Sequence, residues 1–150
     1  MPGTVGALAL SEGARFHLLA HTADIGLEAT APSREELFVV AARGLRAMLF
    51  GISPATEDLR LEVHLEAGNT AELLVAWLNE ILCLSEMTRL VPAEFEIIHL
   101  DEHCLRATLT GEPFDPARHT VERVAKAVTY HQLVMKERKG GWYARVYIDL

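Results

Sequence analysis

From Leu59 to Glu66 the chain alternates without a break: Leu59, Leu61, Val63 and Leu65 fall on one side, Arg60, Glu62, His64 and Glu66 on the other. A period of two over that length predicts a half-buried strand. Phe95 to Leu100 and His103 to Thr110 read as strands separated by Asp101-Glu102, a hairpin. Ala127 to Arg138 and Trp142 to Asp149 flank Lys139-Gly140-Gly141, a second hairpin signal. In that last strand Trp142, Ala144, Val146 and Ile148 share one face, and Tyr143, Arg145, Tyr147 and Asp149 the other. On the strand before it, Thr129 and His131 alternate with Val128 and Tyr130. Glu28 to Thr30 predicts a short strand leading into a helix.

Two segments carry a helical period instead. The first spans about residues 33–50: Ser33 and Glu36 form a capping box behind Pro32, and Gly51 supplies the stop. Phe38, Ala41, Ala42, Leu45, Met48 and Leu49 make its buried stripe, with Arg34, Glu35, Arg43 and Arg46 nearer solvent. The second, about 70–87, begins near Asn69 or Thr70 and is apolar nearly all round. A helix with so little polar face needs covering on more than one side, so it is expected between layers. Strand runs with only two helices among them predict an α+β fold.

Composition fits one domain spanning 1–150. Half of the 150 residues are hydrophobic and 23% are charged, which excludes a chain too polar to offset the entropy of ordering. The first stretch, about 1–14 and rich in Gly and Ala, is expected to be poorly ordered. Charges interrupt every apolar run well short of a membrane span, and no basic residue precedes the short apolar stretch at the start. A cytoplasmic protein is the default. Fourteen basic residues against 21 acidic give a net charge of −7, so gripping a phosphate backbone is not its main task. The densest basic cluster, KERKGG, sits at the tip of the last hairpin. Cys83 and Cys104 belong to no C-x-x-C pair and are expected to be buried structural thiols.

The segment HTADIG, His21 to Gly26, is the first candidate site. Asp24 offers hard oxygens suited to Mg²⁺, Mn²⁺ or Ca²⁺, and Gly26 would let the backbone turn or approach a ligand. The plainer alternative is an Asx turn with His21 partly buried. His17, His21 and Asp24 would share one face of a helix, the spacing of zinc hydrolase sites, but no helical stripe surrounds them. The second candidate is the chain end, where Asp149 precedes the carboxylate of Leu150; two such groups repel unless a cation or base lies between them, or the end is simply solvated. Lys126 and His131 lie in KAVTYH, and Asp115 and His119 in the loop GEPFDPARH. Lys126 suits a phosphate contact, a catalytic base or plain solvation. No nucleophile elbow, phosphate-binding glycine loop or Cys-His pair is present.

HTADIG, the apolar helix ELLVAWLNEIL, the loop D-x-x-RH and the ending KAVTYHQL…WYARVYIDL, in that order from about Phe16 to Leu150, resemble the archease family. The resemblance implies an α+β fold in which mostly antiparallel or mixed sheets flank two helices. It implies a non-enzymatic partner of the RtcB-type ligase of tRNA splicing, promoting guanylylation of the ligase and its multiple turnover. An adaptor or chaperone for RNA-modifying proteins, with a purely structural metal, is the alternative. The family's metal site carries over to Asp24, Asp149 and Leu150, all oxygen donors, for Ca²⁺ or else Mg²⁺ or Mn²⁺. His21, His119, Lys126 and His131 match family motif positions as site neighbours or ligase contacts. No strong direct RNA binding and no membrane association are expected, and the oligomeric state is open. One departure is Ala31-Pro32, where members often carry Gly.

Overall fold

A computed structural model of the chain describes residues 5–6, 10–20 and 23–150. Its elements are β1 (Val5–Gly6), β2 (Arg15–Ala20), β3 (Asp24–Ala31), α1 (Arg34–Phe50), β4 (Leu59–Glu66), α2 (Thr70–Thr88), β5 (Leu90–Leu100), β6 (Cys104–Pro113), β7 (Ala127–Arg138) and β8 (Gly141–Asp149). They build two four-stranded sheets, ordered β1-β5-β6-β4 and β2-β3-β8-β7, with every pairing antiparallel. Both helices lie between the sheets, as the all-round apolar pattern of α2 requires. One core cluster joins Ile25, Leu27 and Val146 of the second sheet to Phe95 and Leu105 of the first through both helices. The fold is therefore the α+β architecture expected, with sheets flanking two helices.

Local chemistry sets the element ends. Ser33 accepts from the Glu36 N–H at 3.1 Å, and Asn69 from the Glu72 N–H at 2.9 Å, so each caps a helix N-terminus. The Glu36 carboxylate does not close the expected capping box; it accepts from Ser11 Oγ at 2.7 Å and from the Ser11 N–H at 3.2 Å. That contact ties the N-terminal approach to α1. The first hairpin turns at Asp101, whose carboxylate accepts from the N–H groups of His103 and Cys104, both at 2.8 Å. Those bonds, with His99, pull its pKa down to about 2. The second hairpin turns at Lys139-Gly140, where Gly140 has φ +80°.

Several side chains depart from the periodic reading. α1 buries far more than a stripe, with Leu37, Val39 and Val40 also inside. Arg46 is not a solvent-facing residue: it is half-buried and donates to the carbonyls of Pro92 (2.8 Å), Gly51 (3.2 Å) and Ser53, which fastens the loop after α1. Cys83 is exposed on α2 and Cys104 half-buried at the start of β6, so neither is the buried thiol expected. β2 shows no period of two, because its apolar Leu18 and Leu19 are adjacent; as an edge strand it leaves both about one-third exposed (36% and 37%).

Candidate functional site

Three strand ends converge at one corner of the second sheet. Antiparallel register places Asp24, the first residue of β3, directly opposite Asp149, the last of β8, and Asp149 opposite Ala127 at the start of β7. Residues directly opposite share a face. On these strands the inward positions are Ile25, Leu27, Ile148, Val146 and Val128, all in the core. The alternation therefore sends Asp24 and Asp149 to the outer face together. Neither carboxylate has a hydrogen bond or ion pair with another described residue. Like charges directly opposite are destabilising, so this corner holds negative charge that the described residues leave uncompensated. Lys126 lies beside it with its N–H donated to Asp149 O at 2.8 Å and its side chain exposed. The N–H of Leu150 points to Ala23 O at 3.3 Å.

Next along the face, β7 breaks its register. Thr129 pairs with Tyr147 and Val134 with Arg145, so five residue steps on β7 span two on β8. The excess is a wide bulge holding Tyr130, His131, Gln132 and Leu133, in which Gln132 adopts φ +49°. A non-glycine residue there stores strain that neighbouring bonds must hold. Those bonds are Thr129 Oγ1 to Tyr147 O (3.1 Å), the His131 N–H to Thr129 Oγ1 (3.2 Å) and Arg145 Nη2 to Gln132 O (3.2 Å). The bulge corrects the expected alternation. Tyr130, read as sharing a face with the core residue Val128, is 61% exposed. His131 meets Tyr147 edge to face at 5.9 Å between ring centroids.

Gly26 serves that ring, and it is neither a turn nor a ligand approach. It lies in mid-strand opposite Tyr147, and a Cβ there would come to 3.0 Å from Tyr147 Cε1 and 3.2 Å from Leu19 Cβ.

Asn79 carries a role that sequence reasoning missed. Its amide donates to Val128 O and its carbonyl accepts from the Val128 N–H, both at 2.9 Å. β7 is an edge strand, so Val128 turns these groups away from β8, and the amide of α2 pairs with them as a further strand would. The start of β7 is thereby pinned one residue from Ala127, opposite Asp149. The one available signal was a lone amide in a helix that is apolar nearly all round.

The remaining expected residues do not all gather here. His119 is turned inward, 4% exposed, with Nδ1 accepting from the Asp115 N–H at 2.8 Å and Nε2 lying 3.4 Å from Glu112 Oε1 without a hydrogen bond. Glu112 is itself buried and accepts from the Thr56 N–H and from Arg118. These bonds hold its carboxyl below the usual range, the Thr56 N–H first. His119 thus braces the 114–120 loop. His17 is on β2 opposite Glu28, so no helix aligns it with Asp24 and the zinc hydrolase spacing fails. His21 lies outside the described residues.

The divalent cation is a correction. Among the described residues no three or more His, Cys, Asp or Glu side chains come together to hold a metal ion. Asp24 and Asp149 supply two carboxylates, and no third such side chain among the described residues joins them. The Ca²⁺, Mg²⁺ or Mn²⁺ implied for Asp24, Asp149 and Leu150 therefore meets no cluster of that kind among the described residues.

No described helix is long and apolar enough to cross a membrane. Residues 16–150 match the model of the Archease protein family (MTH1598/TM1083). The archease of Methanosarcina mazei is 33% identical over 144 residues, covering 93% of this chain and 99% of that protein. That of Methanopyrus kandleri is 33% identical over 133 residues, covering 87% and 95%. The solution structure of protein 1598 of Methanobacterium thermoautotrophicum superposes with a TM-score of 0.71 at 27% identity, covering 93% of this chain and all of that one. This chain, whose two sheets flank two helices, belongs to the archease family.

Proposed function

We propose that this chain is an accessory protein of an RtcB-type RNA ligase, with no catalytic turnover of its own. It promotes guanylylation of the ligase and lets it act through repeated rounds of tRNA splicing. Family membership supports the reading, and the observation that carries it is the Asp24–Asp149 pair, two outward carboxylates unpartnered among the described residues. Such a corner is complementary to a cationic surface. Opposite charge across an interface speeds encounter and fixes register, and the net charge of −7 adds to that steering. Leu150 and Lys126 flank the corner, His131 lies in the bulge next along the face, and exposed Tyr130 is the kind of aromatic that anchors interfaces. His119, buried in its own loop, serves by holding that loop.

The test is ligation by the cognate ligase under multiple turnover, with guanylylation followed in parallel. Added protein should raise both, and Asp24→Asn and Asp149→Asn should fold and fail to stimulate. Binding without stimulation that survives Asp24→Asn would favour the adaptor reading instead.

A further inference from the structure

The opposite end of the same sheet has the opposite charge. Eight residue steps along β8 separate Gly141 from Asp149, about 26 Å at a strand's rise. At the Gly141 end, the turn before β2, the end of β3 and the β7–β8 turn enclose a cleft of about 330 Å³. Arg15, Arg138, Lys139, Trp142 and one acid, Glu12, line it. Arg34 adds a fourth cation, its guanidinium 5.6 Å from the centre of the Trp142 ring. None of these four cations forms an ion pair with a described residue. In a chain with 21 acidic residues and 14 basic ones, leaving four cations clustered and unpaired costs self-repulsion that an anion would relieve. Aromatic surface accompanies the charge: Trp142 is half-buried in the wall, and Arg138 stacks on Tyr143 at 3.7 Å.

We propose that this cleft holds one nucleotide of a single-stranded RNA, its phosphates against Arg15, Arg138 and Lys139 and its base against Trp142. Cations following a backbone beside an aromatic face are how single strands are held without sequence preference. The volume lies at the small end of ligand sites and suits a single nucleotide, with the strand continuing into solvent on either side. Contacts to the two phosphates that flank one nucleotide make a weak grip, which agrees with a protein whose main task is not RNA binding. The choice of RNA as the anion rests on the ligase reading, whereas the cleft lies at the other end of the sheet from Asp24 and Asp149, so Asp24→Asn tests that reading without touching it.

Trp77 is fully buried, so a fluorescence change on ligand addition reports Trp142. The full chain is titrated with octauridylate and, separately, with uridine monophosphate, from about 50 to about 200 mM salt. Octauridylate should quench with a dissociation constant of about 10⁻⁴ M at the lower salt, and log affinity should fall with log salt at a slope of about −1.4, two flanking phosphates at about 0.7 each. Arg15→Glu and Lys139→Glu should each weaken binding about tenfold, whereas Arg60→Glu, the same charge change on exposed β4, should not. Three results would overturn the proposal. They are no quenching by octauridylate up to about 1 mM, equal weakening by Arg60→Glu, or the mononucleotide, which lacks the second flanking phosphate, binding as tightly as the strand.

Discussion

Asn79→Ala should cost more than its half-buried position suggests. The side chain makes two hydrogen bonds at 2.9 Å, one in each direction, with the backbone of Val128. At about 1 kcal/mol net for each bond the loss is about 2 kcal/mol, rising toward about 4 where water cannot reach the freed N–H and C=O. For a chain of this size a loss of about 2 kcal/mol lowers Tm by about 4–8 °C. Urea unfolding gives the free energy, and hydrogen exchange at the Val128 amide locates it. Asn79→Asp separates pairing from packing, because a carboxylate can accept from the Val128 N–H but cannot donate to Val128 O. Protonation restores the donor, so the folded state raises that carboxyl's pKa above its unfolded value. The extra stability is therefore full below the unfolded pKa and lost as pH rises through the folded one. If Asn79→Ala stays within about 0.5 kcal/mol of the parent, or Val128 exchange is unchanged, the amide is not what pins β7.

Three further outcomes follow from the same geometry. Gly26→Ala should destabilise by about 1 kcal/mol and displace the Tyr147 and His131 rings, seen as ring-proton shifts; an unchanged spectrum would mean that the rings do not depend on the open position. Glu112 titrates below its ordinary range in the folded chain, so its contribution is present above the unfolded pKa of about 4.5 and lost as pH falls through the lower folded value. Glu112→Gln should flatten that acid limb in urea midpoints measured from neutral to acid pH, and an unaltered limb would assign acid unfolding to other carboxylates. Gln132→Gly should raise stability by about 1 kcal/mol by releasing the φ +49° strain, and a fall in the urea midpoint would show that the side chain earns its place by contacts instead.

Much of the architecture was legible because it rests on short-range periods. The alternation of Leu59 to Glu66 marks β4 to the residue, and the caps at Ser33 and Asn69 open both helices. What escaped depends on partners distant in sequence. Glu36 looks like half of a capping box until Ser11 takes its carboxylate, and Arg46 looks solvent-facing until three carbonyls surround it. The β7 bulge leaves no mark on the alternation, since the inserted residues can only be counted against β8.

The site divides along the same line. Asp24 and Asp149 are 125 positions apart, and only strand register brings them together. No spacing distinguishes exposed His131 from His119, which is sealed behind Glu112. Whether further acidic side chains gather at that pair depends on strand placement, and among the described residues none does.

The most direct test of the central claim is guanylylation of the cognate RtcB-type ligase, measured over several turnovers of RNA joining with the parent chain and with Asp24→Asn. The account predicts that the parent raises both guanylylated ligase and joined product, while folded Asp24→Asn leaves both near the level of ligase alone. Equal stimulation by the two proteins, or none by the parent on an active ligase, would contradict it.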